Sequence, residues 1–193
     1  MKVKTLLLGL CAALVCTSAL AALQPGTSAP PFTALASKNG KSFHYSLKSA
    51  LRHGPVVVYF YPSAYTRGCD IEAHTFSTDI AKFKAAGASV VGVSLDSISR
   101  LNDFSKDPNY CAGNFPVASD PQGRIARSYD LKVMAGRAGA EDVRGVEIGH
   151  GFAERTTFVI NPNGTIAATI GGVAPADNVE KTLAAVQALS AGK

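Results

Sequence analysis

Residues 56–69 read Val-Val-Val-Tyr-Phe-Tyr-Pro-Ser-Ala-Tyr-Thr-Arg-Gly-Cys. The first six form a continuous apolar run between Gly54 and Pro62, which is typical of a strand buried on both faces. From Asp70 to Ala86 apolar residues recur at roughly helical spacing, and a glycine follows as a stop signal. The stretch therefore predicts a cysteine at the point where a buried strand gives way to a helix.

Cys69 is predicted to lie in the first turn of that helix. Backbone N–H groups there are unpaired and the helix dipole is positive, so a thiolate is stabilised over a thiol. Such positions depress a cysteine pKa to roughly 3.5–7.5, and the thiolate is the nucleophilic form. Thr66 stands where a Cys-x-x-Cys oxidoreductase has its other cysteine. Because a hydroxyl can hold the sulfur or a substrate oxygen by hydrogen bonding, the residues favour chemistry on an oxygen-containing substrate over disulfide exchange.

Strand-like and helix-like segments alternate along the rest of the chain. The predicted elements are a hairpin over 32–43, a helix over 46–52, a strand over 88–95, a helix over 97–106, a strand over 115–118, a helix over 125–129, a hairpin over 156–170 and a helix over 176–189. Such alternation indicates an α/β domain with a central mixed sheet, flanking helices and an N-terminal hairpin.

Pro62, Thr66 and Cys69, spaced Pro-x-x-x-Thr-x-x-Cys, resemble the active-site motif of the peroxiredoxins, the alkyl hydroperoxide reductase/thiol-specific antioxidant family. The wider stretch 59–73 is most similar to the bacterioferritin comigratory protein (PrxQ-like) branch, and the resemblance extends over residues 24–189. It implies a thioredoxin-like fold and a thiol-dependent peroxidase that reduces hydrogen peroxide and organic hydroperoxides. It implies no metal, haem or flavin.

Arg155 directly precedes the predicted strand 156–160, where peroxiredoxins carry an arginine. Beside Cys69, its permanently charged guanidinium would stabilise the thiolate, orient the peroxide oxygens and stabilise charge on the leaving oxygen. Taken alone, the arginine is also explained by a surface ion pair at a strand edge. Pro62 ends the strand and can also shield the sulfur from water and over-oxidation. Glu72, one turn along the helix, either orients Arg155 or is a solvated carboxylate.

Cys111 is the candidate resolving thiol that the resemblance implies. In one version of the PrxQ-like branch this cysteine lies five residues after the peroxidatic one, where this chain has His74. In a second version it lies on the helix after the next strand, and Cys111 falls in that region, beyond helix-breaking residues 107–110. Cys69 would be oxidised to a sulfenic acid, Cys111 would condense with it, and a thioredoxin-like dithiol protein would restore both thiols. The alternative is a structural disulfide.

Residues 1–21 are predicted to be a cleaved export signal. Two lysines precede the apolar run 6–15, and residues 19–21, Ala-Leu-Ala, fit a small-x-small cleavage site. The run is shorter than the roughly 20 residues of a membrane span, and a retained anchor is the alternative. Cleavage removes two of the four cysteines and lowers the formal charge from +5 to +3. A single domain, residues 22–193, is expected in an oxidising compartment, the bacterial periplasm.

Composition also bears on partners. No cluster of basic residues is interleaved with aromatics, which excludes nucleic acid, and the four histidines lack metal-ligand spacing. We expect a monomer or weak dimer without stable membrane association.

Residues 134–149 are either a surface insertion or a flap over the site, and His150 is a candidate for the site mouth. The rival functions are an exported thiol–disulfide oxidoreductase and a copper-carrying or chaperone-like module, although copper carriers of this fold resemble Cys-x-x-x-Cys and Tyr65 interrupts that motif.

Overall fold

The computed structural model of the protein describes residues 22–192, so the predicted export signal lies outside the described residues. In chain order the elements are β1 Thr33–Lys38, β2 Lys41–Ser46, α1 Leu47–Leu51, β3 Val56–Phe60, α2 Arg67–Ala85, β4 Ser89–Ser94, α3 Ile98–Lys106, β5 Val117–Ser119, α4 Arg124–Ser128, β6 Val133–Met134, β7 Phe152–Ala153, β8 Thr156–Ile160, β9 Ile166–Gly171 and α5 Pro175–Ala191. All predicted elements are present, with ends that differ by a few residues. The short strands β6 and β7 were not predicted.

Seven of the strands form one mixed sheet in the order β2-β1-β5-β4-β3-β8-β9. The central strands β3, β4 and β5 are parallel, as expected for strands joined through helices. The N-terminal hairpin and the pair β8 and β9 extend the sheet antiparallel on either side. The predicted α/β fold, with a central mixed sheet and an N-terminal hairpin, is confirmed.

The central strand β3 is buried on both faces, as its continuous apolar run predicts. Val57 and Tyr59 pack with the apolar sides of α2, α3 and α5 on one face of the sheet. Val56, Val58 and Phe60 pack with α1 and α4 on the other. Side chains alternate between the two faces of a strand, so packing on both faces holds the carboxyl end of β3 in place. The loop of residues 61–66, here called the cysteine loop, leaves the sheet at this end and leads into α2.

The strands β6 and β7 pair with each other outside the main sheet, through Val133 with Ala153 and Met134 with Phe152. They bring together the two ends of the long segment between α4 and β8. Within residues 22–192 no helix is both long and apolar enough to cross a lipid bilayer.

Candidate active site

Cys69 lies in the first turn of α2, as predicted. Thr66 is the N-cap residue, with extended backbone angles of φ −119° and ψ 138°, and the helix begins at Arg67. The amide of Asp70 donates to the carbonyl of Thr66 at 2.9 Å, which closes the first helical turn around the cysteine. The Cys69 side chain is only 1% exposed. The sulfur therefore lies at a helix N-terminus, in an almost water-free position.

Arg155 is brought to Cys69 by the pairing of β8 with β3. These strands run antiparallel with Phe60 opposite Thr156, so that Arg155 lies one residue beyond the end of the ladder, beside the cysteine loop. Its Nη2 donates to the Cys69 sulfur at 3.3 Å, and its Nη1 donates to Glu72 Oε2. The surface ion pair considered above is excluded, because the guanidinium is shared between the thiol and a carboxylate that are both buried.

Glu72 is fully buried, so it is not a solvated helix carboxylate. Its Oε2 accepts from Arg155, whereas its Oε1 has no hydrogen-bond partner among residues 22–192. Burial raises the pKa of Glu72 to about 7, against the opposing charge of Arg155. The site therefore contains one guanidinium facing two groups that can each carry a negative charge.

The pKa of Cys69 differs from the sequence-based expectation. Burial raises the pKa of the thiol above its ordinary value, and the charge and hydrogen bond of Arg155 lower it only in part. The expectation of a depressed pKa was wrong, because the sequence pattern indicates the helix N-terminus but not the loss of water around the sulfur. Arg155 is consequently the main group that offsets the desolvation of a thiolate.

The other two motif residues lie in the loop before α2. The Thr66 hydroxyl donates to the Ser63 carbonyl at 2.9 Å. A hydroxyl has a single proton, so Thr66 must rotate away from Ser63 to donate to the sulfur or to a substrate oxygen. Pro62 is half-buried and follows Tyr61, whose amide is the last to bond β4, through Val93 at 3.1 Å. Pro62 lacks an N–H and ends the ladder, as predicted.

A buried carboxylate that the sequence analysis missed, Asp96, holds the same loop. It accepts from the amide of Ala64 at 2.8 Å and from the hydroxyl of Ser63 at 3.0 Å. His150 reaches the same carboxylate through Nε2 at 2.9 Å. A signal was available, because Asp96 follows the strand parallel to β3 and the carboxyl ends of parallel strands share one edge of the sheet.

The segment between β6 and β7 contacts the cysteine loop. The amide of Val143 donates to the carbonyl of Tyr65 at 2.9 Å, and the Arg144 guanidinium carbon lies 3.3 Å from the centre of the Tyr65 ring. Tyr65 has a left-handed φ of 58°, which a non-glycine residue adopts only when its surroundings enforce it. Of the two interpretations of this segment, the contacts favour a cover over the loop.

Cys111 lies in the turns after α3 and is fully buried as a free thiol. Burial raises its pKa well above the ordinary value, and the charges of Asp107 and Asp70 raise it further. Cys69 and Cys111 pack in one buried cluster that includes Tyr59 and Tyr61.

The remaining histidines lie away from this chemistry. His44, His53 and His74 are exposed, and His74 Nδ1 contacts the carbonyl of Asn109 at 3.0 Å. His150, in contrast, is half-buried and contacts Asp96, the carboxylate that holds the cysteine loop, and its predicted place at the site mouth stays a prediction.

Comparison with known proteins gives one family. The AhpC/TSA family profile matches residues 25–169. Peroxiredoxin Bcp of Xanthomonas campestris pv. campestris is 32% identical over 136 residues, covering 69% of this chain and 76% of that protein. Chloroplastic peroxiredoxin Q of Sedum lineare is 31% identical over 173 residues, covering 89% of this chain and 82% of that protein.

Solved structures agree with the sequence relatives. Peroxidoxin BcpB from Mycobacterium tuberculosis has a TM-score of 0.70 at 27% identity, over 86% of this chain and 98% of that one. The bacterioferritin comigratory protein of Xanthomonas campestris has a TM-score of 0.65 at 26% identity, over 82% of this chain and 92% of that one. The profile match over most of the chain and the relatives above 30% identity together show that this chain belongs to the AhpC/TSA family, the peroxiredoxins.

Proposed function

We propose that this protein is a thiol-dependent peroxidase in which Cys69 is the peroxidatic residue. The Cys69 thiol loses its proton to give the thiolate, the thiolate attacks one oxygen of the peroxide, the O–O bond breaks, and the other oxygen leaves and takes up a proton in place of the one the thiol lost, as water or an alcohol. Cys69 becomes a sulfenic acid. The single observation that carries the proposal is the 3.3 Å contact from Arg155 to the sulfur at the start of α2. Hydrogen peroxide and organic hydroperoxides are the proposed substrates, and the related Xanthomonas campestris protein was studied for alkyl peroxide reduction.

The other residues have distinct proposed roles. Arg155 holds the thiolate and stabilises the negative charge that develops on the leaving oxygen, which is the largest electrostatic demand of the reaction. Thr66 turns its hydroxyl toward the sulfur or the peroxide when substrate enters. Pro62 keeps water away from the sulfur. Glu72 fixes the second arm of the guanidinium, so that Nη2 remains directed at Cys69.

We propose that Cys111 resolves the sulfenic acid. Its sulfur displaces the hydroxyl of the sulfenic acid, giving a Cys69–Cys111 disulfide and water. A disulfide needs Cα atoms within about 7 Å, and a buried thiol with a raised pKa is a poor nucleophile. Both cysteines are buried free thiols in this structure, and we propose that the turns around Cys111 or the first turn of α2 move before resolution. A thioredoxin-like dithiol protein then reduces the disulfide by thiol exchange.

The test adds one equivalent of hydrogen peroxide to the reduced protein and follows both cysteines by peptide-resolved mass spectrometry. In the parent we expect both thiols to be lost within seconds as a disulfide, and in Cys111→Ser a sulfenic acid trapped at Cys69. Cys69→Ser should consume peroxide no faster than free cysteine does. Full peroxide consumption by Cys69→Ser would refute the peroxidase mechanism. A parent that stops at the sulfenic acid would refute only the resolving role of Cys111.

The export proposal rests on the sequence pattern of residues 1–21. We propose that the protein acts in the bacterial periplasm as a monomer or weak dimer, with residues 22–193 as its single mature domain. N-terminal sequencing of the protein recovered from a periplasmic fraction should begin at Ala22. Recovery of the uncleaved chain in the membrane fraction would contradict this proposal.

A further inference from the structure

The carboxylate of Asp96 binds the cysteine loop at two consecutive residues. Oδ2 accepts from the backbone amide of Ala64 at 2.8 Å, and Oδ1 accepts from the hydroxyl of Ser63 at 3.0 Å. The Asp96 side chain is fully buried, as are both loop residues. Bonds to a charged acceptor in a buried place are strong and directional. The start of the loop is therefore held by a residue that follows β4, the strand next to β3.

The remaining contacts of Asp96 stabilise its charge. Ser94 donates a hydroxyl to Oδ2 at 2.7 Å, Arg100 Nε lies 2.9 Å from Oδ1, and His150 Nε2 lies 2.9 Å from the same oxygen. These groups come from β4, α3 and the segment before β7. Burial raises the pKa of Asp96, but the hydrogen bond and charge of His150, with the hydrogen bonds from Ala64 and Ser94, bring it below its ordinary value. The carboxylate remains charged and available to the loop.

The loop connects this carboxylate to the reactive sulfur in three short steps. Asp96 fixes Ser63, the Ser63 carbonyl accepts from the Thr66 hydroxyl at 2.9 Å, and the Thr66 carbonyl accepts from the amide that closes the first turn of α2. Cys69 lies in that turn. Ser63 is also only three residues from Thr66, the N-cap of α2. A shift of Ser63 therefore moves the N-cap and, with it, the sulfur relative to Arg155 through the backbone, also when the Thr66 hydroxyl has turned to substrate.

We propose that Asp96 is a positioning residue for the peroxide reaction, which holds the Ser63–Ala64 segment so that the Cys69 sulfur faces Arg155. The proposal rests on the proposed peroxidase function. Asp96 does not touch the sulfur, and it acts through the loop. Removing its charge leaves the donors of the loop weakly paired, and the loop then samples positions in which the sulfur is displaced and more open to solvent.

Two reactions of Cys69 separate positioning from folding. Reaction with peroxide needs the sulfur and the guanidinium in register, and a misplacement of about 1 Å can lower such a rate on the order of a hundredfold. Alkylation by iodoacetamide needs only an accessible thiolate, and the Cys69 side chain is now 1% exposed. Loss of positioning therefore lowers the peroxide rate constant and raises the alkylation rate constant, whereas a residue of purely structural importance would not move them in opposite directions at a temperature where the variant is folded.

The experiment compares Asp96→Asn, Ser63→Ala and the double variant with Asp120→Asn. Asp120 is the matched control, because it also follows a parallel strand, is 4% exposed and accepts from a backbone amide, that of Ala126 at 2.9 Å. It holds α4 and does not contact the cysteine loop. Both rate constants are measured at Cys69 by peptide-resolved mass spectrometry, below the melting temperature of every variant.

We expect Asp96→Asn to lower the peroxide rate constant about ten- to a hundredfold and to raise alkylation severalfold. Ser63→Ala should shift both rates in the same directions by less, and should add little in the Asp96→Asn background because both changes release one loop. Asp120→Asn should change neither rate. Unchanged rates in Asp96→Asn, or a fall in both, would overturn the proposal. If the parent protein does not react with peroxide, the proposed function fails, and the alkylation rates still decide whether Asp96 positions the loop.

Discussion

The two cysteines are almost equally buried, but their surroundings are opposite. Cys69 lies at the N-terminus of α2, with Arg155 donating to its sulfur at 3.3 Å. Cys111 follows the C-terminal end of α3, where Asp107 raises its pKa, and no group among residues 22–192 donates a hydrogen bond to its sulfur. A helix N-terminus stabilises negative charge and a C-terminus destabilises it. Burial alone therefore does not distinguish a nucleophile from a latent thiol, and the local charge does.

The largest effect is expected from removal of Arg155, the cation that is present beside Cys69 and absent beside Cys111. Arg155→Met should lower the rate constant of Cys69 with hydrogen peroxide by about 10²–10³, since one preorganised donor to a developing charge is worth that much. Arg155→Lys should recover part of the rate through its charge. The control is Arg67→Met, because Arg67 is close in sequence to Cys69 but exposed. Stopped-flow kinetics of peroxide consumption measures the rate constant of each variant. A fall of less than threefold in Arg155→Met would contradict the conclusion that local charge makes Cys69 the nucleophile.

The second prediction concerns pH and the carboxylate beside Cys69. The Glu72 carboxyl ionises near 4.5 in an unfolded chain and near 7 in the folded protein. Between these values the folded state binds more protons than the unfolded state, so the free energy of unfolding falls as pH rises. The contribution of Glu72 is complete below the lower value and is lost above the upper one. Its size is on the order of 3 kcal/mol.

Urea denaturation of the parent and of Glu72→Gln from pH 5 to pH 8.5 measures this effect. The free energy of unfolding should decline with pH more steeply in the parent than in Glu72→Gln, which cannot titrate. Cys111→Ser, the matched change at the other cysteine, should keep the slope of the parent. Parallel pH dependence in the parent and in Glu72→Gln would show that Glu72 stays ionised throughout.

The smallest effect is expected from a slight displacement of Arg155, which tests how close its guanidinium must lie to the Cys69 sulfur. A Cβ at Gly68 would lie 3.2 Å from Arg155 Nη2 and 3.4 Å from Pro175 Cγ. Gly68→Ala should therefore displace the guanidinium by a few tenths of an ångström and lower the peroxide rate constant roughly three- to tenfold. Gly192→Ala is the control, since its Cβ would meet only Ala188 O at 3.7 Å. Equal rate constants for the two alanine variants would mean that the position of Arg155 is tolerant.

Local patterns were sufficient to predict most of the fold and the residues in contact with Cys69, but not Asp96. The apolar run of β3 and the helical spacing of α2 fixed the place of Cys69, and the residue before β8 identified Arg155. The raised pKa of Cys69 could not be predicted, because desolvation depends on the tertiary packing of every element around the sulfur. The same applies to Glu72, whose sequence position suits a solvated and a buried carboxylate equally well.

Two features were missed because their partners are distant in sequence. Asp96 follows a strand without any motif around it, and its partners in the cysteine loop lie 32 and 33 residues earlier. The strands β6 and β7 have two residues each, which is too short for a periodic signal. Their pairing is apparent only in the folded structure, in which the segment between them packs on Tyr65.

The pairing of β8 with β3 also determines when, during folding, Cys69 becomes reactive toward peroxide. Cys69 and Arg155 are 86 residues apart in sequence, and they meet only when these two strands are in register. Contacts between such distant segments are slow to form, since the intervening chain must first lose its freedom. During refolding, rapid reaction of Cys69 with peroxide should appear with the last phase that forms the sheet. In a chain that is still folding, Cys69 therefore lacks its contact with Arg155 and reacts slowly with peroxide. Its reactivity appears only when the core is complete.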